Sequence, residues 1–380
     1  MNANGSMRAD IEQGGVEVVE RLAPEWRALC DEDANDDPRY RPEWVTAYLS
    51  AFTPKAKILV ITARADGQLK AILPLIWEKD SFSGLPVTKL STLPKITATR
   101  FDLVQTKGPD RAAACAAVWE RLKSVPGWQM LELGGAFADS PLCDLFVRAH
   151  ADGYKTAILP MLPSPYLTLP AYDPKKPFTV EPRSQGQRTK LRKVNRELET
   201  PTGRLRLVRF DEADRDALQR FYELEASGWK GKQGSAILSL PTTRQFYQQL
   251  TDAASRLGYF TLYELYLDGQ HVAGTLGFTY RGRFFTPKGA HHEGFREHAV
   301  GHLIIQHVIQ DCVKRGLRAF EFLGVPDDWK KLWTSDVREH PTCCVFQRSI
   351  ASYLLHAVQF RIKPAARSFA AGSRSDPTSA

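Results

Sequence analysis

The 380-residue chain has no run of eighteen or so uncharged apolar residues, so a protein threaded through a bilayer by helices is excluded. Cysteine is sparse. Cys30, Cys115, Cys143, Cys312, Cys343 and Cys344 form no CxxC and no metal-ligand spacing. That rules out a disulfide-stapled miniature and fits a reducing cytosol. The vicinal Cys343-Cys344 reads as two neighbouring thiols rather than a redox site. Met1 to Gln13 is polar and lacks an apolar signal core, which argues against export by the usual route. No GxSxG elbow, Walker loop, HExxH or zinc-finger spacing occurs, and Cys312, mid-helix in apolar surroundings, makes a poor nucleophile.

What is present is ordinary for a globular protein: 43% apolar and 25% charged residues, in a chain long enough for two or three domains. Lys and Arg outnumber Asp and Glu by 51 to 43, a net charge of +8 that favours anionic partners without choosing among them.

The first half, about 14–170, reads as a mixed α/β unit. Helical periodicity at Trp26–Cys30 and Pro42–Ala51 is followed by two β-rich runs, Lys57–Ala65 and Leu69–Glu78, joined by Asp66-Gly67 as a hairpin. A helix over Arg111–Lys123, a strand over Trp128–Leu133 and a helix over Ser140–Ala151 capped by Gly153 complete it. Seven prolines between Pro160 and Pro182 forbid a regular helix and predict an extended crossing, with 171–182 as the connector.

The second half, 183–348, repeats the order. Helices are expected over Asp214–Ala226 and Thr242–Gly258. Three strands follow, Tyr259–Leu267, His271–Tyr280 and Arg283–Ala290, turning at Asp268-Gly269 and Arg281-Gly282. A helix over His302–Arg315 and a strand over Arg318–Leu323 close the pattern. The remaining 349–380 reads as an amphipathic helix over Ile350–Ile362, docked on the core or lying on a membrane surface, then a disordered basic tail.

Three places carry chemistry. Six basic residues crowd Arg183–Arg196 with no carboxylate until Glu197; a helix there sets Arg188, Arg192 and Arg196 on one face, either a solvated surface or a clamp for an anionic substrate. The loop Arg296-Glu297-His298-Ala299-Val300-Gly301-His302 opens an apolar helix, where free N–H groups and the helix dipole suit a pyrophosphate. Trp229-Lys230 and Trp329-Lys330 each pair a flat wall with a cation, or are simply anchored tryptophans beside solvated lysines. His298 and His302 share a helical spacing, but nothing supplies a third ligand, so no metal is expected.

The order of meander, Arg-x-x-small-x-Gly loop, helix and strand resembles the GNAT acyltransferase fold. The resemblance implies that Arg296, Ala299 and Gly301, with Val300 and His302, hold the pyrophosphate of an acyl-CoA such as acetyl-CoA; Ala299 stands where the family has its first glycine. Gly228-Trp229-Lys230-Gly231 and Phe322-Leu323-Gly324 followed by Trp329-Lys330 resemble the cellulose-biosynthesis (CelD-type) acetyltransferases, over roughly Val16 to Arg348. Those proteins are similar to the Fem peptidyltransferases, which pair two GNAT-like domains and use aminoacyl-tRNA.

The fold class expected is therefore α/β (α+β), two tandem GNAT-like domains, each a mixed, mostly antiparallel sheet flanked by helices. The implied activity is N-acyl transfer from acyl-CoA to an amine acceptor, a small molecule or glycan precursor, in exopolysaccharide or cell-envelope metabolism, with no metal. Transfer to an amine needs a base for its proton and a donor for the thioester oxygen. A backbone N–H near Thr286–Gly289 is the expected donor. Glu321 is the first candidate base and Glu264 the second, with Lys230 and Lys330 as further catalytic candidates at the cleft and Trp229, Trp329, Arg188 and Arg192 binding substrate. The alternatives are a Fem-like transferase fed by aminoacyl-tRNA and a non-catalytic binding protein on the same fold.

Overall fold

In the computed structural model, residues 7–34, 36–92, 101–135, 140–176, 178–198 and 204–363 are described; the expected tail beyond 363 lies outside them. The first sheet takes β1 (Arg8–Gly14), β2 (Lys57–Ala65), β3 (Gln68–Phe82), β4 (Leu85–Ser91), the short β5 (Val104–Gln105) against β3, β6 (Met130–Leu133) and β7 (Lys155–Leu159). The second takes β8 (Ser164–Thr168), β9 (Leu205–Phe210), β10 (Phe260–Leu267), β11 (Gln270–Tyr280), β12 (Arg283–His291), β13 (Ala319–Glu321) and β14 (Val337–Arg338). Neither assignment follows chain order throughout. β8, inside the proline-rich crossing, pairs antiparallel with β13. The last strand, β15 (Thr342–Phe346), enters the first sheet between β6 and β7.

Each half therefore completes its sheet with a strand from the other. The boundaries expected at 170 and 348 put both strands in the wrong sheet, and the crossing is less a spacer than an element of the second core. The signal was hidden because Pro160, Pro163 and Pro170 bracket a run of only five residues that itself contains Pro165. Proline is tolerated there because Pro165 opposes Val337 in the two-residue β14 near the sheet margin.

The hairpins form as the dipeptides require. Asp66-Gly67, Asp268-Gly269 and Arg281-Gly282 all adopt positive φ at both positions, as does Ser83-Gly84, a turn not anticipated between β3 and β4. Strand β13 stops at Glu321, two residues earlier than expected, because Leu323 (φ 56°) and Gly324 (φ 60°) turn left-handed.

Helices α1 (Val16–Leu29), α2 (Pro42–Phe52), α3 (Arg111–Lys123), α4 (Pro141–Ala151), α5 (Gln185–Leu198), α6 (Arg215–Ser227), α7 (Trp229–Lys232), α8 (Pro241–Arg256), α9 (Val300–Lys314), α10 (Asp328–Lys331) and α11 (Ile350–Ala357) fill the remaining layers. α3 and α4 cover the outer face of the first sheet. α5 and α9 cover that of the second. Between the sheets lie α1, α2, α6 and α8 in a core shared by both halves, with Trp44 of α2 edge-on to Phe246 at 6.0 Å and Phe278 at 5.0 Å. Ion pairs rim this core: Arg41 reaches Asp31 at 2.6 Å and the Tyr280 hydroxyl at 3.2 Å.

Candidate active site

Strands β12 and β13 run parallel only over Arg283–Phe285 and Ala319–Glu321. Beyond that, β12 continues to His291 while the other chain turns away at Leu323, so the sheet opens into a wedge. A bulge sharpens it: Leu276 opposes Lys288 and Phe278 opposes Phe285, leaving Thr286 and Pro287 against Gly277. Proline has no N–H for the ladder and sits at the bulge for that reason.

The two tryptophan-lysine pairs occupy the opposite lips. On the β12 side, α7 follows α6 so tightly that a Cβ on Gly231 would lie 1.7 Å from the Ala226 carbonyl oxygen, which demands glycine. From there Lys230 Nζ donates to the Gly289 carbonyl oxygen at 2.8 Å and to Glu225 Oε1 at 3.0 Å. On the β13 side, Lys330 Nζ donates to the carbonyl oxygens of Leu323 and Val325, both at 2.9 Å, and meets Asp327 at 3.1 Å. Burial pulls the Lys330 ammonium below its usual pKa, against Asp327. Each lysine lies over its own indole, at 5.9 Å for Trp229 and 5.4 Å for Trp329, and both indoles are substantially exposed. The lysines thus hold the lips of the wedge by main-chain contacts, while the tryptophans present faces to solvent.

A cluster that sequence reasoning missed lies behind the β12 lip. The Glu225 carboxylate is wholly buried; its Oε2 accepts the Ile237 N–H at 2.8 Å, and Lys288 Nζ stands 3.3 Å from Oε1 over the Tyr247 ring. Burial lowers the Lys288 pKa, against the attraction of Glu225. One carboxylate therefore faces two ammonium groups at the bulge. Only the position of Lys288 on the third strand could have drawn attention to it; Glu225 has no local signal.

The expected bases stand elsewhere. Glu321 accepts Arg283 at 2.5 Å and Arg338 at 3.1 Å, buried at the closed end of the wedge. Glu264 accepts Arg220 at 3.0 Å and the Tyr266 hydroxyl at 2.8 Å with its side chain fully covered. Both carboxylates are committed to guanidinium partners. The structure does not bring either together with Lys230 or Lys330.

The loop after β12 forms a short 3-10 turn over Glu293–His298 and then α9, hinged at Ala299 with φ 47° and ψ 39°. Val300 and Gly301 hold the first two helical positions, whose N–H groups have no partner inside their own helix. A Cβ on Gly301 would meet the His291 ring at 3.0 Å, so the loop packs closely on the end of β12. His302 faces Trp333 at 6.1 Å; burial, His291 and Lys190 all lower its pKa. Lys190 of α5 also points here, 3.5 Å from the Arg296 carbonyl oxygen. Arg192 is held in an exposed bidentate pair with Glu181, at 2.5 and 2.6 Å, and Arg188 adds to the field on the same carboxylate. Lys190 is therefore the cation of the basic helix placed at the loop. Among the described residues, no three His, Cys, Asp or Glu side chains gather as a metal site.

The sequence model of the acetyltransferase (GNAT) domain family matches residues 185–331, which include the wedge, both tryptophan-lysine pairs and the loop. No curated protein matches the chain. Among solved structures, FemX aligns at TM-score 0.57 and 13% identity, covering 87% of this chain and 96% of its own. A conserved protein of unknown function from Bacteroides thetaiotaomicron VPI-5482 aligns at TM-score 0.53 and 11% identity, covering 85% and 97%. A tandem GNAT protein from the clavulanic acid biosynthesis pathway aligns at 0.45 and 14%, covering 89% and 98%. The fold is shared with FemX over most of both chains, and the matched acetyltransferase (GNAT) domain supports a transferase.

Proposed function

We propose that the chain is an acyl-CoA-dependent N-acyltransferase whose second domain, about 183–348, binds the donor in the wedge between β12 and β13. The observation that carries the reading is the coincidence, at one opening in the sheet, of a helix N-terminus hinged at Ala299 and the bulged strand β12, which β13 leaves beyond Phe285. The first feature suits a pyrophosphate, and Arg296 with Lys190 adds positive charge beside it. The second offers backbone N–H groups to a thioester oxygen as charge develops on it. Trp229 and Trp329 wall the mouth for the acceptor.

The proton released by the attacking amine goes to the Glu225–Lys288–Lys230 cluster at the bulge, directly or through water, because Glu321 and Glu264 stand away from the bulge with their oxygens occupied by arginines. Resemblance of the two tryptophan-lysine signatures to the CelD-type acetyltransferases supports an amine acceptor from exopolysaccharide or cell-envelope metabolism, by analogy. A second donor, aminoacyl-tRNA, is favoured by the exposed basic face of α5 beside the same loop.

Calorimetric titration with acetyl-CoA and CoA, on the wild type and on an Arg296→Glu, Gly301→Asp double variant, tests the proposal. Micromolar binding that the variant loses supports it. A folded wild type that binds neither ligand overturns the CoA donor and leaves aminoacyl-tRNA, whose binding would weaken steeply with salt.

A further inference from the structure

The C-terminal helix is docked by one face and bare on the other. α11 continues as a π-helical turn to Ile362. Inward, Leu355 packs with Val87, Met130, Cys344 and Phe346, Phe360 lies 6.3 Å from the Phe346 ring, and Gln359 accepts the Ser83 hydroxyl. Outward, Ile350 is 90% exposed, Leu354 56%, Ile362 55% and Tyr353 42%. Single exposed apolar side chains are common, but four on one face of a helix about 18 Å long are not.

The charge around this stripe has one sign. Arg361 and Lys363 border it, and neither is joined to a carboxylate among the described residues, while Arg348 is laid over the Tyr154 ring at 4.7 Å. From Phe346 onward the sequence adds Arg367 and Arg374 before its first acid, Asp376. A second copy of a chain with net charge +8 would bring the same basic rim against this one, so self-association on this face is opposed by charge.

We propose that the outer face of α11 and its continuation to Ile362 lies on an anionic phospholipid surface. Ile350, Tyr353, Leu354 and Ile362 enter the headgroup–acyl boundary, while Arg361 and Lys363 contact the phosphates. The helix lies in the interface rather than crossing it, since no helix among the described residues is long and apolar enough to span a membrane. Resting on the proposed transferase activity, docking would bring the chain to acceptors at a membrane surface.

Co-sedimentation of the full chain with phosphatidylcholine vesicles, and with vesicles that also contain phosphatidylglycerol, tests the assignment. Binding to the anionic vesicles alone, weakened by salt, is expected. An Ile350→Ser, Leu354→Ser, Ile362→Ser triple variant should lose about tenfold in binding, and Arg361→Glu with Lys363→Glu a similar amount, with unchanged thermal unfolding because none of these side chains is in the core. Failure of the wild type to bind anionic vesicles overturns the proposal. So does binding that survives the triple substitution, or a dimer in light scattering that the triple variant abolishes.

Discussion

Lys330 Nζ lies 2.9 Å from the carbonyl oxygen of Leu323, a residue held in the left-handed region at φ 56°. The strain of that conformation is about 1–2 kcal/mol, and the ammonium group offsets it by donating a charge-assisted hydrogen bond to the exposed carbonyl oxygen. The lip of the wedge is thus built by one residue and fixed by the other.

Lys330→Met keeps the stem and removes the donors to the Leu323 and Val325 carbonyl oxygens. Two main-chain acceptors lose their partner, at about 1–3 kcal/mol. Chemical denaturation should show that loss, and acetyl-CoA titration should show weaker donor binding because the β13 lip is no longer held.

Glu225→Gln removes the single carboxylate facing Lys230 and Lys288. Breaking a buried pair from one side costs about 3–5 kcal/mol. Burial already depresses Lys288, and loss of Glu225 depresses it further. A lysine depressed in the folded state contributes stability above its ordinary pKa of 10.5 and loses it as pH falls through the lower folded value. The deficit of the variant, read by denaturant midpoint, should therefore shrink between pH 7 and pH 10.

Asp102 is buried between α4 and the first sheet; the Ser140 hydroxyl donates to both its oxygens at 3.0 and 2.9 Å, and burial pushes its pKa from 3.8 to about 7. The contribution of a carboxyl raised in this way is complete below pH 3.8 and lost as pH rises to about 7. Asp102→Asn should raise Tm at pH 8 by about 2–4 °C and change little at pH 4, as scanning calorimetry would show.

A fragment ending at residue 170 should not fold. It retains β6 and β7 but lacks β15, which pairs with both through Thr342–Phe346. Two apolar strand edges would stand open, a template for aggregation. Restoring 336–363 in trans should recover dispersed amide resonances; a well-folded 1–170 fragment would contradict the exchange of strands.

The sequence determined what neighbours in the chain can settle. Asp66-Gly67, Asp268-Gly269 and Arg281-Gly282 dictate hairpins because their backbones adopt positive φ at little cost. The heptad-like spacing of Leu303, Ile304 and Val308 dictates an apolar helix after a small-residue loop, and that loop was legible at Arg296–His302. Tertiary structure decided everything that depends on distant partners. β8 and β15 are five-residue runs whose pairing is specified by the open edges of sheets assembled far away in sequence, so no local pattern could assign them. Glu321 reads as a free carboxylate on a cleft strand until Arg283 and Arg338 converge on it across 38 and 17 residues. Glu225 reads as one helical glutamate among several until β12 places Lys288 against it. Charge is written residue by residue, but whether a charge is available for chemistry depends on what packs around it.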